Sequence, residues 1–223
     1  MANITSKVVD NQTLFTIRNT KGNELTVSNF GASVVSFRFR DKSFTNKFII
    51  NRSCVLVDNQ ISNSIWHADS TIEGVKFSLD NSQIIYSISN DNEISIRYFS
   101  DSDISAKLFF SSVAFPNPQI SPYAANKSVI SSKEAFNIID KPAEVLMEIG
   151  MFGYDPGCPI DYLESGLKNA ADISSDSGID VKVYATQNQL IVEHLSDGVA
   201  FYTCNPASGK TSSQTVYVFK NRK

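Results

Sequence analysis

The sequence predicts an all-β chain with little helix, folded as an antiparallel sandwich or barrel. Two observations lead there. Short runs rich in Val, Ile, Phe and Tyr recur along nearly the whole chain, many of them alternating apolar with polar residues. Between them sit turn-forming groups such as Lys21-Gly22-Asn23, Asp80-Asn81, Asn90-Asp91-Asn92, Pro156-Gly157 and Asp197-Gly198. No shift in composition splits the chain and no repeat of fixed period is present, so one domain over residues 1–223 is expected.

In chain order, strands are expected at Leu14–Arg18, Glu24–Ser28 and Ser33–Phe39. Lys47–Ile50 and Cys54–Val57 follow as two short strands. Gly74–Leu79, Gln83–Ser87 and Glu93–Phe99 form a series joined by tight turns, and Ala106–Ser112 follows. Later runs are Ala143–Ile149, Asp180–Tyr184, Gln189–Glu193, Val199–Thr203 and Gln214–Lys220. The least strand-like stretches are Phe115–Ser131, with three prolines, and Leu163–Ser177, where a helical turn is expected around Leu163–Ala171.

Composition narrows the function. At 42% hydrophobic and 19% charged, the chain matches an ordinary globular protein rather than a disordered one. A net charge of -3 argues against nucleic acid, because phosphate binding needs a concentrated cationic face. No apolar run reaches the roughly 20 residues of a membrane span. Cys54, Cys158 and Cys204 lie far apart, without a CxxC pair or a His at metal-ligand spacing, so no metal is expected. An odd number of cysteines with no export signal at the start points to reduced thiols and a cytoplasmic location.

Four stretches, in order, resemble the aldose 1-epimerases, or galactose mutarotases. Leu25–Asp41 (LTVSNFGASVVSFRFRD) is similar to the family's opening, in which a strand leads through N-(Y/F)-G-A to a second strand. Ser70–Asp80 (STIEGVKFSLD) resembles N-R-I-x-x-G-x-F-x-L-D, and Asp91–Asp103 (DNEISIRYFSDSD) resembles D-x-x-L-x-I-x-Y-x-A-x-x-D. Pro159-Ile160-Asp161, followed by Asp197–Asn205 (DGVAFYTCN), is similar to (I/F)-D and P-G-V-Q-F-Y-T-G-N. The resemblance implies a large antiparallel β-sandwich of the galactose mutarotase-like type.

Mutarotation opens and recloses a sugar hemiacetal, with a base on the C1 hydroxyl and an acid on the ring oxygen. The resemblance implies a Glu near the C-terminus as base, a His as acid, and a second His, an Arg and an Asp as sugar ligands. Carried over, the Arg falls on Thr71, after Ser70, and the acid His falls on Val113. The strand bearing the Glu is missing, because Asn205 is followed by only eight residues before Gln214–Phe219, which resembles the closing strand. Asp161 stands where a sugar-hydroxyl ligand is expected, and a carboxylate accepts well from a diol. Beside the second motif, Trp66 is expected to offer a stacking surface while His67 and Asp69 make polar contacts to the same ligand.

His194 and Glu193 adjoin on a strand and so point to opposite faces, whereas Glu144 and Glu148 share one face. Three readings stay open. The first is a mutarotase-like protein without its acid–base pair that keeps carbohydrate binding, with a monosaccharide or glycan as partner. The second is an active epimerase with a rearranged site, using His67 or His194 with Glu148 or Glu193. The third is an assembly protein with a protein partner or a second copy of itself. No organic cofactor is implied by any of them.

Overall fold

The computed structural model describes residues 2–122, 144–148, 167–187, 189–195, 197–204 and 212–223. Among them are eighteen strands and no helix. In chain order they are β1 (Asn3–Val9), β2 (Gln12–Arg18), β3 (Glu24–Ser28), β4 (Val34–Arg40), β5 (Asn46–Val57) and β6 (Gln60–Ile61). Next come β7 (His67–Thr71), β8 (Gly74–Leu79), β9 (Ser82–Ile88), β10 (Glu93–Phe99), β11 (Ile104–Ser111) and β12 (Gln119–Pro122). The series closes with β13 (Glu144–Glu148), β14 (Lys168–Ser174), β15 (Ile179–Ala185), β16 (Gln189–Leu195), β17 (Gly198–Cys204) and β18 (Ser212–Asn221).

Every strand pairing is antiparallel, and the strands form two sheets. The ten-stranded sheet runs β1-β2-β3-β4-β5-β11-β17-β16-β13, with β6 paired to β5, and the eight-stranded sheet runs β12-β14-β15-β18-β10-β9-β8-β7. Strict alternation turns one face of each sheet inward: Ile94, Ile96 and Tyr98 of β10 are buried between half-exposed neighbours, as are Ile179, Val181 and Val183 of β15. The two inner faces meet ring against ring. Phe37 of β4 lies 4.6 Å from Phe219 of β18, and Phe15 of β2 lies 6.0 Å from Phe77 of β8. Each fully buried phenylalanine contributes roughly 1.5–3 kcal/mol, so this seam holds the sandwich closed.

Besides β1, β6 and β7, for which the sequence reading expects no strand, the structure departs from that reading in three places. The two short strands expected around Lys47 and Cys54 are one long strand, β5. Within it an extra residue, Asn51, leaves Ile50 opposite Phe110 and Arg52 opposite Phe109. The bulge therefore turns Arg52 outward although Ile50, two residues before it, faces the core. Of the helical turn expected around Leu163–Ala171, residues 163–166 lie outside the described residues, while residues 168–174 form β14, where a register shift at Asn169–Ala171 lets Ala170 and Ala171 both be buried. Within the expected long connection after Phe115, Gln119–Pro122 pairs with β14 as an edge strand.

Candidate functional site

His67 and Asp69 lie two residues apart on β7, the edge strand of the eight-stranded sheet, and so share its outer face. His67 Nε2 is 3.3 Å from Asp69 Oδ1, and Lys76 of β8, directly opposite Asp69, brings its Nζ to 3.6 Å from Oδ2. The imidazole is three-quarters exposed. Trp66 does not join them. It is 1% exposed, and its indole N–H donates to Ser62 Oγ at 3.0 Å. Its ring is enclosed by protein because alternation that sends His67 outward sends its neighbour in, so the expected grouping of an exposed indole with His67 and Asp69 does not form. Asp161, together with Cys158 and the 205–211 connection, lies outside the described residues.

The two described positions that the resemblance assigns to sugar chemistry hold other work. Thr71 Oγ1 donates to the Gly74 carbonyl at 3.1 Å and accepts from the Glu73 N–H at 3.2 Å, closing the turn from β7 to β8. Val113, 91% exposed, sits in the turn after β11. His67 stands on the eight-stranded sheet, whereas Glu193 stands on the ten-stranded one and pairs with Lys107 there; the side chains of Glu148 and His194 lie outside the described residues. Glu144 lies opposite Glu193 in register and Glu148 opposite Gln189.

The described ionic cluster with least exposure is on the outer face of the ten-stranded sheet. Lys107 of β11 pairs with Glu193 of β16 across the intervening strand β17, their side chains 15% and 20% exposed. The residue of β17 opposite Glu193 is Ala200, and its methyl leaves room for a lysine stem to reach over a strand to a partner roughly 10 Å away. Two rings flank the ammonium, Phe109 at 5.7 Å and Tyr202 at 5.2 Å. Arg52, turned outward by the bulge, lies 4.8 Å over the Phe109 ring and pairs with Asp197 Oδ2 at 3.0 Å. Cys54, opposite Lys107 in register, is a free thiol whose pKa burial pushes up.

This cluster combines a donor, an acceptor and aromatic faces on rigid strands, which suits a polyhydroxylated ligand with C–H faces. Glu193 was the only one of its ionic members singled out from sequence. The signal that was there is a lysine in the apolar run Ile104–Phe110, at an outward-facing register beside an outward-facing Phe109. Among the described residues, no group of three His, Cys, Asp or Glu side chains is arranged to hold a metal.

Comparison with known proteins gives a fold. No family model and no curated protein sequence matches the chain. Solved structures do. The GalM/aldose epimerase homologue from C. elegans superposes with a TM-score of 0.64 at 11% identity, covering 100% of both chains. Galactose 1-epimerase from Lactobacillus acidophilus NCFM gives 0.62 at 11% identity, covering 100% of this chain and 99% of that one. The fold is galactose mutarotase-like.

Proposed function

We propose that this chain is a single-domain, mutarotase-fold protein that binds carbohydrate without catalysing ring opening, through the outer face of the ten-stranded sheet. The observation that carries the reading is the Lys107–Glu193 pair set between Phe109 and Tyr202. Rings on rigid strands present flat apolar faces to a sugar, and the ion pair supplies both hydrogen-bond senses for hydroxyls. The loss of catalysis is supported by Val113 and Thr71, neither of which is an acid or a guanidinium. His67 and Asp69, with Asp161, remain secondary candidates for sugar contacts. The free thiol of Cys54 supports a reducing compartment such as the cytoplasm.

Two measurements test this together. Polarimetry on freshly dissolved α-glucose and α-galactose is expected to show no acceleration above the buffer rate. Saturation-transfer NMR against monosaccharides and a glycan panel is expected to show binding that Phe109→Ala removes. Acceleration of mutarotation, or sugar contacts indifferent to Phe109, would overturn the reading.

A further inference from the structure

At one end of the sandwich, four turns and strand ends from both sheets line an open cavity of about 430 Å³. The scaffold of this end is an amide network. Asn23 Nδ2 donates to Asn92 Oδ1 at 2.6 Å, Asn23 Oδ1 accepts from the Arg40 backbone N–H at 2.8 Å, and Asn19 Nδ2 donates to the Ser89 carbonyl at 2.9 Å. These bonds join the β2–β3 turn and the end of β4 to the β9–β10 turn of the other sheet, so the cavity walls are fixed by both halves of the molecule.

Its charge is unbalanced. Lys21, Arg40 and Lys42 line it with a single carboxylate, Asp41, and Lys21 is paired from outside the lining by Asp91 Oδ1 at 3.9 Å, which leaves Arg40 and Lys42 as the excess. Asp41 is engaged by its own turn: Oδ1 accepts from the Ser43 and Thr45 N–H groups, both at 2.9 Å, and Oδ2 faces Lys47 at 4.0 Å. Among the described residues neither Arg40 nor Lys42 has an ion-pair partner, and the Arg40 Nε–H is buried without an acceptor. The guanidinium lies against Gly22, where a Cβ would stand 3.5 Å from Cζ. An unpaired guanidinium against a protein wall is costly unless an anion completes it.

A second, independent observation is Phe44. It lines the same cavity, is 79% exposed, and adopts φ +58°, an outlier for a bulky aromatic residue. Its backbone is held by the bond from its N–H to the Asp41 carbonyl at 3.0 Å. A strained backbone that keeps an aromatic ring in solvent beside two unpaired cations is a combination expected where a ligand is gripped.

We propose that this cavity binds a phosphorylated sugar or a similar polyol phosphate, the phosphate meeting Arg40 and Lys42 and a C–H face resting on Phe44. Its size falls within the range of small-molecule sites. The proposal does not depend on the outer-face sugar site.

The test is calorimetric titration at physiological salt with glucose 6-phosphate, inorganic phosphate, sulfate and glucose. Saturable binding of glucose 6-phosphate is expected, with phosphate and sulfate weaker and glucose silent. Arg40→Gln should weaken it about tenfold or more, the effect of losing a charge-assisted contact. Lys42→Gln, at an exposed position that does not threaten folding, should weaken it several-fold. Phe44→Gly should weaken glucose 6-phosphate but not phosphate, while raising the thermal midpoint, because glycine accepts the positive φ without strain. Absence of saturable binding, binding indifferent to Lys42→Gln, or phosphate binding as tightly as glucose 6-phosphate would each overturn the proposal.

Discussion

Replacing Glu193 with Gln isolates the ion pair on which the outer-face reading turns. Breaking a fully buried pair by removing one partner costs about 3–5 kcal/mol, and a surface pair is worth about 0–1 kcal/mol. With side chains 15% and 20% exposed, Lys107 and Glu193 sit nearer the first limit. Two features reduce the cost of Glu193→Gln. The amide still accepts one hydrogen bond from the ammonium, and Phe109 and Tyr202 keep attracting the cation from 5.7 and 5.2 Å, at about 0.5–2 kcal/mol together. A loss near 2 kcal/mol is expected. Lys107→Met leaves the poorly exposed Glu193 carboxylate without its ammonium partner, and about 3 kcal/mol is expected there. The double variant removes both charges, leaving no unpaired ion, and should cost less than Lys107→Met alone, giving a coupling of about 2–3 kcal/mol. Urea denaturation of the four proteins measures this. Additive losses, with coupling under about 0.5 kcal/mol, would refute the view that this pair is a desolvated unit.

Three further outcomes follow from buried groups. Tyr86, Tyr98 and Tyr217 are buried, and desolvation raises all three phenol pKa values. Their stabilising contribution is whole below the unfolded tyrosine pKa near 10 and is lost as pH climbs toward the raised folded values, at up to about 4 kcal/mol per pH unit for three groups; a urea midpoint flat from pH 9 to 11.5 would contradict this. Tyr86 O–H donates to the Ala32 carbonyl at 2.7 Å whereas Tyr217 O–H has no partner among the described residues, so Tyr86→Phe should cost about 1–3 kcal/mol and Tyr217→Phe should be neutral or stabilising in thermal melts. Gly198, at φ +154°, approaches so closely that an added Cβ would lie 1.9 Å from the Phe110 carbonyl oxygen; Gly198→Ala should lose more than about 3 kcal/mol, read as soluble yield and melting midpoint.

Strands with one buried face were legible because burial writes alternation into the sequence. Glu24–Ser28, Gly74–Leu79 and Glu93–Phe99 are found at the expected residues, each with alternating buried positions in its middle. The strands that escaped notice carry little burial. β1 exposes most of its seven residues, and β7 lies at the opposite sheet's edge, so neither needs an apolar face. β14 was obscured differently, since its bulge places Ala170 and Ala171 consecutively in the core and breaks the two-residue period. Site geometry was harder to read. Lys107 and Glu193 are far apart in sequence and meet only because β16, β17 and β11 are neighbours, a pairing order that no local pattern encodes. Even the bulge that brings Arg52 over Phe109 depends on one unpaired residue, Asn51, whose identity gives no sign of it.

The place of β18 between β15 and β10 bears on how the protein is made. The Gln214 amide donates to Ser95 Oγ at 2.9 Å across 119 residues of sequence, and the β10–β18 ladder spans a similar separation. On a ribosome elongating at roughly 5–20 residues per second, β10 emerges about 6–24 s before its partner. For that interval β7 to β10 form a nascent meander whose last strand has a free edge and an uncovered apolar face. Local hairpins can close at once, but the second sheet waits for translation to deliver its central strand. The polypeptide is therefore most vulnerable to misassociation during synthesis, and slowing elongation between the codons for β10 and β18 should lower soluble yield without altering the finished protein.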